Sequence, residues 1–267
     1  MKSASLLNQT KKYFFITLGI FALIACKKVD ASKGTPEDHA INETGFTAID
    51  FGTGGSLTYT ESATTSIIIN TTDKVLKAMD IKVKNSTLYI ETKNGYNIKN
   101  SEDIKITITA PNINSLACSG SGNLTANIDN ATEYAAFNLT VSGSGSLQTT
   151  AINSTDQTMT VSGSGSLTLD ELIAENTNAT VSGSGGIKIN AGTAVNSKAT
   201  ISGSGSYAAF NLNTENADVS VSGSGKAEVT ANVALDVVIS GSGNVYYKGT
   251  PIINVTSSGS GSLINAN

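Results

Sequence analysis

Apolar and polar residues alternate along most of the chain, in a pattern locked to a recurring Ser-Gly-Ser-Gly tetrapeptide. The tetrapeptide begins at Ser119, Ser142, Ser162, Ser182, Ser202, Ser222, Ser240 and Ser258, at steps of 23, 20, 20, 20, 20, 18 and 18 residues. Three residues before it stand Leu116, Leu139, Met159, Ala179, Ala199, Val219, Val237 and Val255. One residue before it stand Cys118, Val141, Val161, Val181, Ile201, Val221, Ile239 and Ser257. Five residues after its first serine stand Leu124, Leu147, Leu167, Ile187, Tyr207, Ala227, Val245 and Leu263. Period-two alternation is the signature of strands. A flexible Gly/Ser linker would carry no such columns.

Each repeat therefore reads as strand, glycine corner, strand, and a looser return through Asn-, Asp- and Thr-rich residues. Glycine is required where the chain turns too sharply for a Cβ, or with positive φ. One coil alone buries too little apolar surface to offset the entropy of ordering it, so neighbouring coils must stack and share a core. The pattern predicts an all-β fold: a single right-handed parallel β-helix of about 20-residue coils with Gly-Ser-Gly corners and serine ladders along the stack. Residues 45–111 lack the strict motif but hold strand-like runs at 46–51, 56–59, 66–70, 80–84, 87–92 and 103–110, with a turn at Asn94-Gly95. They read as opening coils and a cap, followed by regular repeats over 112–267, within one head domain over 45–267. A division near Pro111 is the alternative.

The first 25 residues read as a lipoprotein signal peptide. Lys11 and Lys12 precede an apolar run over 13–24 that is too short to span a bilayer. It ends in Leu23-Ile24-Ala25-Cys26, where a small residue admits the peptidase and the Cys26 thiol accepts a diacylglycerol. Residues 26–44, with Gly34, Pro36 and several charges, read as a flexible tether. Lys27, rather than an aspartate, follows Cys26. That favours a lipid-anchored protein of the outer membrane, its face left open.

Charge narrows the partners. Removing residues 1–25 takes Lys2, Lys11 and Lys12 and no acid, so that 14 lysines face 21 acids, a net −7, without any arginine. Residues 119–267 hold four lysines against ten acids. Such a surface excludes nucleic acid and argues against anionic headgroups beyond the lipid anchor itself. Cys118 shares the inward column of Val141 and Val161, which favours a small buried hydrophobe over a reactive thiol.

The run Ile104-Lys105-Ile106-Thr107-Ile108-Thr109-Ala110-Pro111, followed by Ile113, Leu116 and Ser119-Gly120-Ser121-Gly122, resembles the head GIN domain family of auto-transporter adhesins, common among surface lipoproteins of Bacteroidota. Phe46, Ile49 and Ser56-Leu57-Thr58 resemble the family's opening, and the likeness extends over about residues 45–264. It implies a β-helix with Gly-Ser-Gly corners, an adhesive role and no established catalytic residues. Neither stalk heptads nor a membrane barrel accompanies it in this sequence.

Candidate chemistry is sparse. A polysaccharide lyase or hydrolase, the enzymatic alternative, needs clustered carboxylates or a basic group, yet the acids are dispersed. The lone histidine, His39, lies in the expected tether, so a Ser-His-Asp arrangement has no base. No Gly-x-Ser-x-Gly, dinucleotide or zinc-ligand spacing occurs, and no cofactor is expected. Asp218 and Asp236 both fall four residues before their motifs and could meet as a cation pair, although a solvated acidic edge is the plainer reading. Thr140, Thr160, Thr180, Thr200 and Ser220 form an outward column beside the motif serines. Ordinary strand propensity explains it; the sharper reading is a hydroxyl array for a glycan, a neighbouring or host cell surface, or ice. Tyr246 is the best outward aromatic. The open edge of the last coil also leaves homo-oligomerisation open.

Overall fold

From Ser115 onward the alternating segments pair in parallel, each with the segment one coil away. Leu147 lies opposite Leu167, Val161 opposite Val181 and Ser162 opposite Ser182; Thr180 faces Thr200 and Val219 faces Val237. The structure, a computed structural model, describes residues 26–129 and 131–267; the expected signal peptide over 1–25 lies outside them. Its regular elements are strands, apart from one α turn and one 3-10 turn. The fold is an all-β solenoid, as the alternation predicts.

The three apolar columns form one interior. Leu116, Cys118 and Leu124, then Leu139, Val141 and Leu147, and so on to Val237, Ile239 and Val245, are buried. Together with the apolar side chains that precede the repeats, they make a continuous core from Ala31 to Val245. The columns leave the core only at the last coil, where Val255 is 47 % exposed. Its strand, Ile252–Gly259, pairs with the preceding Lys226–Gly241 strand, and no further strand is paired with it among the described residues.

The corners are held by main chain. The Gly165 N–H donates to Gly143 O (3.0 Å), Gly185 N–H to Gly163 O (2.9 Å) and Gly243 N–H to Gly223 O (2.9 Å). This approach leaves no space for side chains. A Cβ on Gly225 would lie 2.8 Å from Gly205 O and 2.5 Å from Ile201 Cγ2. Gly163 has φ +117° as well, with a would-be Cβ 2.8 Å from Gly143 O. The motif serines stack in register from Ser162 to Ser258, but no hydroxyl-to-hydroxyl bond joins them among the described residues.

Ahead of the repeats lie β1 (Lys27–Asp30), β2 (Glu37–Ala40), β3 (Ala48–Gly52), β4 (Ser56–Glu61), β5 (Ser66–Thr71), α1 (Asp73–Leu76), β6 (Met79–Lys84), β7 (Thr87–Thr92), β8 (Tyr96–Lys99) and β9 (Lys105–Ala110). β3 and β4 continue the stack: Phe51 faces Cys118 and Leu57 faces Leu124. β5 instead runs antiparallel to both β2 and β9. β6 and β7 form an antiparallel hairpin, whose tip, Asn85-Ser86, has φ +49° and +58°, the geometry a two-residue hairpin loop demands.

The flexible tether expected over 26–44 is corrected by this arrangement. Lys27 N–H donates to Gly95 O at 2.7 Å, β1 pairs in parallel with β8, Val29 packs on the core and Ala31 is buried. β2 adds a strand along β5. Alternation over four residues is too short to be distinguished from a loop in the sequence, and β8 as a pairing partner emerges only on folding.

Corner substitutions should separate close packing from backbone strain. Gly95 has φ +83° but nothing within 4 Å of its would-be Cβ, so Gly95→Ala should cost about 1 kcal/mol. Gly163→Ala adds steric overlap to the same strain and should cost roughly 2–4 kcal/mol. Urea unfolding of both variants measures the difference; equal costs would mean that the coils are not in contact at their corners.

Candidate functional site

The sheet that leads into the corners carries three outward rows. The first runs through Asn138, Thr158, Asn178, Lys198, Asp218, Asp236 and Asn254, and the second through Thr140, Thr160, Thr180, Thr200, Ser220, Val238 and Thr256. The motif serines from Ser162 onward make the third. Parallel pairing puts identical side chains one strand spacing apart, about 4.8 Å. The four candidate threonines are thus brought together as one ladder, each half-buried between its neighbours. Towards the first coils the row changes character, since Ala117 and Asp50 precede Thr140.

Tyr246 does not join them. It lies beyond the corner, in the row of Glu228 and Ile264. The Lys226 ammonium sits 4.8 Å from its ring centroid while ion-paired to Glu228. One ring face is therefore already occupied by a cation, which reduces its use as a sugar platform.

Asp218 and Asp236 are indeed opposite one another. Each also has a partner on its far side: Lys198 Nζ stands 3.6 Å from Asp218, and Asn254 Nδ2 donates to Asp236 Oδ1 at 3.1 Å. These are exposed contacts that solvent screens, and they give the pair the character of a solvated, charge-compensated edge.

A feature that the sequence reading missed is a side-chain amide ladder. Asn176 Nδ2 donates to Asp156 Oδ1, Asn196 to Asn176 Oδ1 and Asn216 to Asn196 Oδ1, each at 3.0 Å. Each amide donates one way along the stack and the chain ends on a carboxylate, so the dipoles reinforce each other. The signal was present, because these four residues recur at the 20-residue step. Glu61 is a second missed feature. It accepts from Tyr134 Oη (3.1 Å), Thr132 Oγ1 (3.2 Å) and Asp129 N–H (3.2 Å), beside an open cavity of about 520 Å³.

His39, expected in a tether, is on β2. One ligand atom each from Glu37, His39 and Asp73 lies within 4.8 Å of the other two, and His39 Nε2 is 3.0 Å from Thr71 O. With the ring neutral, Nε2–H donates to that carbonyl and Nδ1 keeps the lone pair. This is the one such grouping of three among the described residues; its donor set is chemically able to hold a divalent cation.

Cys26 is exposed and Cys118 buried, both as free thiols. Cys118 Sγ–H donates to Gly122 O at 3.2 Å, and burial pushes the thiol up to about 11. Burial likewise pushes up the phenols of Tyr59, Tyr134 and Tyr207. Among the described residues no helix is long and apolar enough to cross a membrane.

Residues 45–251 match the family described as "Putative auto-transporter adhesin, head GIN domain", and the chain belongs to that family. Among solved structures, a "putative adhesin" of Bacteroides fragilis is 26 % identical, with a TM-score of 0.65, the match covering 89 % of this chain and 99 % of that one. A "putative lipid binding protein" of Parabacteroides distasonis is 24 % identical, with a TM-score of 0.82, covering 90 % of this chain and 100 % of that one. A "putative adhesin" of the same species is 21 % identical with the same TM-score and coverage. The Parabacteroides likenesses establish a shared fold. No curated protein matches the chain.

The buried thiol makes a pH prediction. Its folded pKa is raised from 9.0 to about 11, so its contribution to stability is complete below about pH 9 and is lost as pH rises through about 11. Cys118→Val, which continues the column of Val141 and Val161, removes that dependence. Between those two pH values the wild type should lose more stability than the variant in urea titrations. Parallel losses would show that the thiol ionises freely in the folded protein.

Proposed function

We propose that the protein is a non-enzymatic cell-envelope lipoprotein whose β-solenoid head serves adhesion or surface scaffolding. Residues 1–25 are its signal peptide, Cys26 carries the lipid, and the outer membrane is the membrane it occupies. The head spans 45–267, with opening coils and cap over 45–111 and regular repeats over 112–267. It winds right-handed, in coils of about 20 residues turned by Gly-Ser-Gly corners; the coil step and the corners are supported by pairs such as Ser182 with Ser202 and Gly183 with Gly203.

The observation that carries the reading is the in-register row Thr140–Thr160–Thr180–Thr200 beside the motif serines. A repeated hydroxyl surface at strand spacing suits a repeating, uncharged ligand such as a glycan on a neighbouring or host cell. Membership of a family described as adhesins supports the role, and the dispersed carboxylates of the repeats support a non-enzymatic one. The exposed Ile252–Gly259 strand, with Ile252 82 % exposed, offers a second copy an edge to pair with.

Two measurements test this. Cys26→Ser should abolish acyl labelling of the protein in cells; retention of label would place the anchor elsewhere. On a glycan and matrix array, Thr160→Gln with Thr180→Gln should weaken binding about tenfold with little change in melting temperature. Unchanged binding would remove the threonine face from the account.

A further inference from the structure

The lysines are segregated, and folding gathers five of them at the anchored end. Lys27, Lys28, Lys33, Lys74 and Lys77 line a cavity of about 520 Å³, together with Tyr96. Two elements build it. β1 is fixed to β8, with Lys27 opposite Tyr96 and Lys28 opposite Asn97; α1, capped at its start by Thr72 Oγ1 accepting from Val75 N–H (3.4 Å), supplies Lys74, and its C-cap supplies Lys77. These two lysines are three residues apart and share a face.

The charge of this concavity is largely uncompensated. Asp30, its one acidic member, is 3.8 Å from Lys33 Nζ. Asp30 Oδ1 also accepts from Ser32 Oγ (2.8 Å), Ser32 N–H (3.1 Å) and Asn100 Nδ2 (2.8 Å), bonds that hold its carboxyl below the usual range. Lys27 Nζ stands 5.4 Å from the Tyr96 ring centroid. Lys27, Lys28, Lys74 and Lys77 make no ion pair among the described residues. Repulsion among like charges costs stability unless an anion relieves it, and the rest of the surface is acidic.

Position identifies the anion. Cys26 precedes Lys27 directly, and Lys27 N–H is bonded to Gly95 O, so no slack chain separates residue 26 from the cavity. Consecutive Cα atoms are about 3.8 Å apart. A lipid on Cys26 would therefore hold Lys27, and the cavity that it lines, at the headgroup layer, with Lys27 well inside a Debye length of about 8–10 Å.

We propose that Lys27, Lys28, Lys33, Lys74 and Lys77 form a seat for the phosphate of an anionic lipid headgroup in the leaflet that holds the Cys26 anchor. The seat fixes the head's orientation, with the anchored end against the membrane. It reverses the expectation, drawn from net charge alone, that anionic headgroups have no part beyond the anchor. The proposal deepens the lipoprotein reading, and its test uses protein without a lipid, so that absent acylation and absent headgroup binding are read separately.

The chain from Cys26 onward contains the whole continuous core described above. Prepared as Cys26→Ser, it is mixed with vesicles of phosphatidylglycerol and phosphatidylcholine, or of phosphatidylcholine alone, and bound protein is measured by flotation. Binding should require phosphatidylglycerol and weaken with salt. Lys74→Gln with Lys77→Gln should weaken it about thirtyfold. Lys198→Gln with Lys226→Gln, in the repeats, should leave it unchanged, and circular dichroism should show both variants folded. Equal binding to phosphatidylcholine, an equal loss in the repeat variant, or no loss in the Lys74/Lys77 variant would overturn the proposal. Displacement from vesicles by equimolar inorganic phosphate would also overturn it, by making free phosphate the ligand.

Discussion

The closeness of approach at the glycine corners is the constraint on which the solenoid depends. Successive bends touch main chain to main chain, with the carbonyl of one corner accepting an N–H from the next, as Gly163 O does from Gly185. Parallel ladders fix the same offset along both flanking strands. One register then serves the corner, the apolar columns and the outward rows together, and a slip of one residue would turn the core outward. The Ser-Gly-Ser-Gly motif is retained in every repeat because the contact that forbids a Cβ also defines the register.

That register has a chemical consequence. A side chain that recurs in the sequence becomes a row in space, so the surface is organised as lines rather than as a pocket. The lines differ in what they can do. The threonine row is uncharged, the Asp156–Asn216 row is a polarised amide chain ending on a carboxylate, and the row through Lys198, Asp218 and Asp236 compensates its own charges. The interior is equally repetitive, which is why Cys118 behaves as one more buried apolar residue among valines.

The segment before the repeats breaks this economy. Its strands do not all follow the stack, and antiparallel pairs from β2, β5 and β6 close around the parallel coils. Folding of this segment brings together residues distant in sequence: β1 and α1 place Lys28 and Lys77 on one cavity, and β2 and α1 place His39 near Asp73. The less regular end therefore holds the compact groupings of charge, while the regular end holds the extended faces. Polarity along the axis gives the solenoid two chemically distinct ends.

The sequence by itself determined what repetition can encode. Period-two columns named the buried residues from Leu116 to Val245, and eight stacked glycine motifs required a solenoid. The threonine ladder followed from a constant step, and the amide ladder was available by the same reasoning. Strands in the opening segment were readable in the sequence, including the runs at 66–70, 80–84 and 87–92. Only the tertiary structure decided direction and partnership. Nothing in the runs at 66–70 and 80–84 says that they pair antiparallel, because alternation records which face is buried and not which neighbour is bonded. Residues 26–44 carried composition typical of a linker, and their docking depends on β5 and β8, which exist as partners only in the fold. Net charge likewise averages over the whole surface, whereas electrostatic attraction acts over about a Debye length. The lysine cluster beside Cys26 is therefore a property of the folded end and not of the composition.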